Sequence, residues 1–175
     1  MHRRALLALL ALLPLAACGE GRTTSPIGFG DSIRRPGLAA PWTFGDFSRF
    51  NGQPAAAARA MASLEHLAAS FSNDPFWTPE FSVTTAFQLR KGRDEARAAL
   101  GIDPGALADV TVPALDAVAG ALEMGDRPAA ERQLEAAPFR LGAAETLRRL
   151  STLPRLREAE RAAQMTAAEL AQTPR

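Results

Sequence analysis

The stretch PAAAARAMASLEHLAASFSNDP, from Pro54 to Pro75, decides the fold class. Within it Ala57, Met61, Leu64, Ala68 and Phe71 recur at steps of three and four residues, the period that lines up one face of an α-helix. Pro54 suits a first helical turn, where its missing N–H would find no intrahelical acceptor anyway. Asn73-Asp74-Pro75 stops the run. An amphipathic helix with one apolar face therefore sits near the middle of the chain and needs other elements to cover it.

Those elements follow in the same style. Thr78-Pro79-Glu80 reads as a second helix start, with an apolar pattern through Ala86, Leu89, Ala96 and Leu100 to a stop at Gly101, and Gly92 as a possible break. Thr111-Val112-Pro113 opens a third helix, with Leu115, Val118, Ala119 and Leu122 on one stripe. Gly125-Asp126 turns the chain into a short fourth helix bearing Ala130 and Leu134. Two more are expected near Ala143 to Leu153 and Arg155 to Ala171, on either side of Pro154. The one β-branched cluster, Val83-Thr84-Thr85 after Phe81-Ser82, follows a helix start, so an all-α, Ala-rich bundle of about five helices is predicted for residues 53–175.

Upstream the pattern changes. Gly21, Pro26, Gly28, Gly30, Pro36, Gly37, Pro41, Gly45, Asn51 and Gly52 break any helical or alternating period, which reads as a tether from Gly19 to about Pro36. In its second part Trp42, Phe44, Phe47 and Phe50 are costly to leave in water and are expected to staple the segment onto the domain. Gly28-Phe29-Gly30 has neither a strand before it nor a helix directly after it, so it is a turn and not a phosphate loop.

The first 17 residues have three parts in a fixed order: positive Arg3 and Arg4, an apolar run from Ala5 to Leu13, then Pro14 and small residues. The run falls well short of the roughly 20 apolar residues a membrane-spanning helix needs. The following Leu15-Ala16-Ala17-Cys18 resembles the lipobox of bacterial lipoproteins. That resemblance implies cleavage between Ala17 and Cys18, a diacylglycerol on the Cys18 thiol, and in many species a further acyl chain on the new amine. It divides the chain into a signal peptide (residues 1–17), a lipidated tether with its aromatic staple (18–52) and a helical domain (53–175). Arg3-Arg4 partly resembles a twin-arginine signal, but the usual polar neighbours are missing and the general secretory route is favoured. Gly19 stands where an Asp would favour inner-membrane retention. The resemblance thus implies a lipid-anchored place in the cell envelope, at the outer membrane facing the periplasm, with the inner membrane as the alternative.

Composition removes much chemistry. The chain carries 20 Lys and Arg against 19 Asp and Glu, a net charge of +1. Removal of the signal would take Arg3, Arg4 and His2 with it and leave −1, so no field selects nucleic acid. With one Cys blocked by lipid and only His66 left of the histidines, disulfides, thiol nucleophiles, Cys zinc sites and multi-His sites are excluded. No spaced Asp/Asn/Gly loop for calcium and no Gly-x-Ser-x-Gly elbow occurs. No cofactor or metal is expected beyond the lipid.

Three candidate features remain. Ten of the eleven Phe and Trp residues fall between Phe29 and Phe87, which makes them either a core or an aromatic groove lined by Trp42, Phe47, Phe71 and Trp77. Arg90, Lys91, Arg93 and Arg97, like the Arg148 to Arg161 group, alternate with acids and read as solvated helix faces; contact with anionic headgroups or cell-wall polymer is the other reading. The Ala-Leu, Gly-Asp, Ala, Leu spacing of helices three and four resembles one hairpin of a tetratricopeptide-type array, without a second copy at a 34-residue interval. The reading that follows is a non-enzymatic lipoprotein with an interaction or structural domain, partnered by the membrane and by an envelope protein or cell-wall polymer. A carrier of a small apolar or envelope-derived ligand, and an enzyme with carboxylate or Ser chemistry, are the alternatives.

Overall fold

The computed structural model describes residues 31–73 and 82–172. Among these it is all-α, 76% helical and without a strand. Chain order is α1 (Asp31–Leu38), α2 (Ala40–Thr43), a 3-10 turn η1 (Phe47–Phe50), α3 (Pro54–Asn73), α4 (Val83–Leu100), α5 (Ala108–Glu123), α6 (Arg127–Leu134), α7 (Gly142–Leu150) and α8 (Arg157–Gln172).

Helix α3 is the central post. Ala57, Ala58, Ala60, Met61, Ala62, Leu64, Leu67, Ala68 and Phe71 are all buried, which is more than one face and marks a helix enclosed by neighbours. It touches α5, α4, α7, η1, α1 and α2. Helix α8 is the second hub, packed on α4, α1 and α2. Arg59 ties α3 to α5 across the surface through Asp116 at 2.9 Å and Glu123 at 2.9 Å.

Boundaries are set by ordinary capping chemistry. Ser82 Oγ accepts from the Thr84 N–H at 3.1 Å to start α4, and Gly101, at φ +71°, ends it in the left-handed conformation that costs glycine nothing. Asp126 Oδ1 accepts from the Ala129 N–H at the start of α6, and Glu135 reaches the Ala143 N–H at the start of α7. Glu95, projecting from α4, accepts from the N–H groups of Glu158 and Ala159 at 2.8 and 3.1 Å, satisfying two donors of the α8 terminus.

Three sequence expectations change. Gly92 does not break α4. A Cβ there would lie 2.8 Å from the Ala159 Cα, so the glycine is where α4 and α8 touch backbone to backbone. Helix α5 begins at Ala108, ahead of Thr111, and carries Pro113 inside it; Thr111 Oγ1 donates to the Leu107 carbonyl and the preceding loop is held from below, so packing adds a turn that local preference does not predict. The reading of a tether to about Pro36 is corrected as well. From Asp31 the chain is helical, and Ile33, Gly37, Ala40 and Phe44 form one buried stripe at steps of four, three and four. A Cβ at Gly37 would meet Leu170 Cδ1 at 2.2 Å. The supposed breaker is a contact point on α8, burial of Ile33 and Phe44 outweighs the backbone bond given up at Pro36, and Pro41 stands in the first turn of α2, where none is lost.

Candidate functional site

The most unusual chemistry in the interior is a buried ion pair. Glu65 on α3 is 0% exposed and Arg97 on α4 is 2% exposed. Arg97 donates from Nε to Glu65 Oε1 at 2.5 Å and from Nη2 to Oε2 at 2.6 Å, a two-pronged pair of the kind that suits a planar guanidinium. Its Nη1 donates to the carbonyls of Asp103, Pro104 and Ala106 at 3.3, 2.9 and 3.0 Å. Burial opposes the Arg97 charge, but the hydrogen bonds and attraction of Glu65, helped by Asp94 and Asp103, outweigh it and raise its pKa. Arg97 is thus a clamp on the loop that launches α5, and its place in a solvated basic face is corrected. Neither side chain lines any of the surface grooves described below. His66, the next residue on α3, is half-buried.

The sequence offered a signal for this pair. Glu65 lies between Met61 and Ala68 on the apolar stripe of α3, and Arg97 lies between Ala96 and Leu100 on that of α4. A charge inside an apolar stripe needs a partner inside the protein.

The other ionisable groups with displaced pKa values are explained by surface neighbours. Arg148 and Arg149 hold the Glu145 carboxyl down to about 2. Arg140 and the Gly105 N–H lower Asp103, Arg59 lowers Glu123, Gln88 and Lys91 lower Glu158, and Arg155 lowers Glu160. In every case the charged form is stabilised by an ion-pair partner or a hydrogen-bond donor, which is the opposite of an acid or base poised near neutral pH. Among the described residues no group of three His, Cys, Asp or Glu side chains could hold a metal ion.

The aromatic residues divide into two environments. Phe47 and Phe71 are each 1% exposed and Phe44 is 0% exposed, so these three are core. Trp42 is 75% exposed on α2. The groove drawn through Trp42, Phe47 and Phe71 is therefore not formed: two of its walls are interior and the third faces solvent. Trp77, like Ala17 and Cys18, lies outside the described residues.

The surface grooves are open and charged. Arg155, Arg157, Glu160, Arg161 and Gln164 line one of about 400 Å³. Pro128, Glu131, Arg132, Glu135, Ala143 and Ala144 line another of about 460 Å³ between α6 and α7. In the first, Arg155 is committed to Glu160, and Arg161 lies 3.7 Å from Glu158. A small apolar ligand would find no enclosed surface in either.

Of the exposed apolar side chains, Trp42 belongs to the best-defined face. Arg35, Leu38 and Trp42 follow at i, i+3 and i+7 on the side of α1 and α2 opposite the buried stripe. The Ala39 N–H bonds to the Arg35 carbonyl at 3.1 Å and the Trp42 N–H to the Ala39 carbonyl at 2.9 Å, so the two short helices turn almost as one. Arg49 of η1 donates from Nη2 to the Trp42 carbonyl and lies over the Phe50 ring at 4.7 Å. Asp46, between them, is engaged by the Ser48 N–H and hydroxyl. No family model, curated protein or solved structure matches the chain.

Proposed function

We propose that the chain is a lipid-anchored protein of the bacterial envelope whose helical domain serves as a non-enzymatic interaction or structural module. The observation that carries this reading is the order of Arg3-Arg4, the apolar run from Ala5 to Leu13, and Leu15-Ala16-Ala17-Cys18. Among the described residues no helix is long and apolar enough to cross a membrane, so attachment in this reading rests on lipid at Cys18. Two acyl chains bury enough CH₂ groups, at about 0.8 kcal/mol each, for stable anchoring. The outer membrane, with the domain facing the periplasm, is the favoured location. Support for a binding role over catalysis comes from the ionisable groups, whose shifts stabilise their charged forms through ion pairs and hydrogen bonds, and from the open, charged grooves. An envelope protein or cell-wall polymer is the partner class.

The test is Cys18→Ser. Metabolic labelling with radioactive palmitate and recovery in the membrane fraction should both be lost, with unprocessed or freely soluble protein in their place. Label or membrane recovery that survives the substitution overturns the reading.

A further inference from the structure

Asp31, where α1 starts, follows Cys18 by 13 residues. Fully extended, that many residues reach at most about 45 Å, so an anchored domain stays within little more than its own diameter, about 37 Å, of the lipid surface. Trp42 is 11 residues beyond Asp31 along helical backbone, a rise of about 16 Å. Among the described residues, the face holding Arg35, Leu38 and Trp42 is therefore the surface nearest along the chain to the attachment point.

Its chemistry matches an anionic bilayer surface. A Trp ring combines a large apolar body with a polar N–H and settles at the headgroup level, and cations flanking such a face are drawn to anionic lipid. Here Leu38 and Trp42 stand one helical turn apart, with Arg35 at one end and Arg49 at the other.

We propose that the outward face of α1 and α2, made of Arg35, Leu38 and Trp42 with Arg49 beside it, seats the domain on the anionic phospholipid surface to which Cys18 is anchored. This rests on the lipoprotein reading. Docking fixes which side of the domain faces the membrane.

The experiment uses the full lipidated protein with Trp77→Phe, so that Trp42 is the sole Trp, reconstituted into vesicles of phosphatidylethanolamine and phosphatidylglycerol. Flotation with the vesicles reports the anchor, and quenching of Trp42 by brominated acyl chains reports the docking. We expect flotation, emission reduced about two-fold or more by brominated lipid, and a comparable loss of acrylamide access relative to detergent-solubilised protein, as for a ring at headgroup depth. Arg35→Glu with Arg49→Glu should restore acrylamide access without preventing flotation. Protein that floats while Trp42 stays unquenched and open to acrylamide overturns the proposal, leaves the anchor standing and points to a protein partner for this face. Protein that carries no lipid and does not float overturns the anchor reading and the docking with it.

Discussion

Replacing Glu65 by Leu keeps the volume in the α3–α4 interface but strands the Arg97 guanidinium, 2% exposed, without its carboxylate. Removing one partner of a buried pair costs about 3–5 kcal/mol, because the remaining charge keeps its desolvation penalty and loses its compensation. Against a total stability of about 5–15 kcal/mol this is a large fraction. The double substitution Glu65→Leu with Arg97→Met removes both charges together. What it leaves behind is the carbonyls of Asp103, Pro104 and Ala106 without the Arg97 Nη1, and the loop around exposed Pro104 and Gly105 lets water replace that donor. The double variant should therefore be the milder one, about 1–2 kcal/mol below the parent. Urea unfolding of a chain of residues 18–175 with Cys18→Ser, followed by circular dichroism at 222 nm, measures parent, single and double variants. With a slope of about 2 kcal/mol/M, the midpoint should fall about 2 M for Glu65→Leu and less than about 1 M for the double variant. A Glu65→Leu variant that loses under about 1 kcal/mol, or a double variant that loses as much as Glu65→Leu or more, would refute the claim that the two side chains act as one buried unit.

Two further outcomes follow from the packing and the charges. Gly92→Ala should lower the thermal midpoint, although Ala is the better helix former by about 1 kcal/mol, because its Cβ would press on the Ala159 backbone at 2.8 Å; a raised midpoint would show that the α4–α8 contact is looser than described. Stability should decline on acidification: Glu145, Asp103, Glu123, Glu158 and Glu160 all have folded pKa values below their unfolded ones, so their contribution is complete above about pH 5 and is lost as pH falls through the folded values, about 2 for Glu145. Thermal midpoints recorded from pH 6 down to pH 2 check this, and a flat or rising profile below pH 5 would contradict it.

The parts of the fold legible in the sequence are those where local periodicity and tertiary burial agree. Pro54 to Asn73 is helical from the expected start to the expected stop, Gly101 ends α4 as read, and Leu147, Leu150, Leu153 and Leu156 are buried as their stripes require. Prediction failed where a residue's local meaning was overridden by a contact distant in sequence. Gly37 and Gly92 look like breakers in a one-dimensional reading, yet each lacks a Cβ because α8 occupies the space. Five Gly and Pro residues between Pro36 and Gly52 hid the stripe of Ile33, Ala40 and Phe44, whose acceptor surface lies more than a hundred residues away. The candidate groove failed for a related reason: aromatic clustering along the chain does not say which rings turn inward, and Phe47 and Phe71 do while Trp42 does not. The Glu65–Arg97 pair was visible as two charges on apolar stripes, but alternation with Asp94 and Glu95 disguised Arg97 as one more surface cation.

Helix α8 receives α1, α2 and α4, and its first turn takes its cap from Glu95. A polypeptide emerging from its N-terminus presents α1 first and α8 last of these elements. Until residues 157–172 emerge, Ile33, Ala40 and Phe44 have no surface to bury against on that side, and α4 has half of its interface missing. The contacts of α1, α2 and α4 with α3 can form before α8 exists, so it is the α8-facing side of these three helices, and not the helices as a whole, that is covered last.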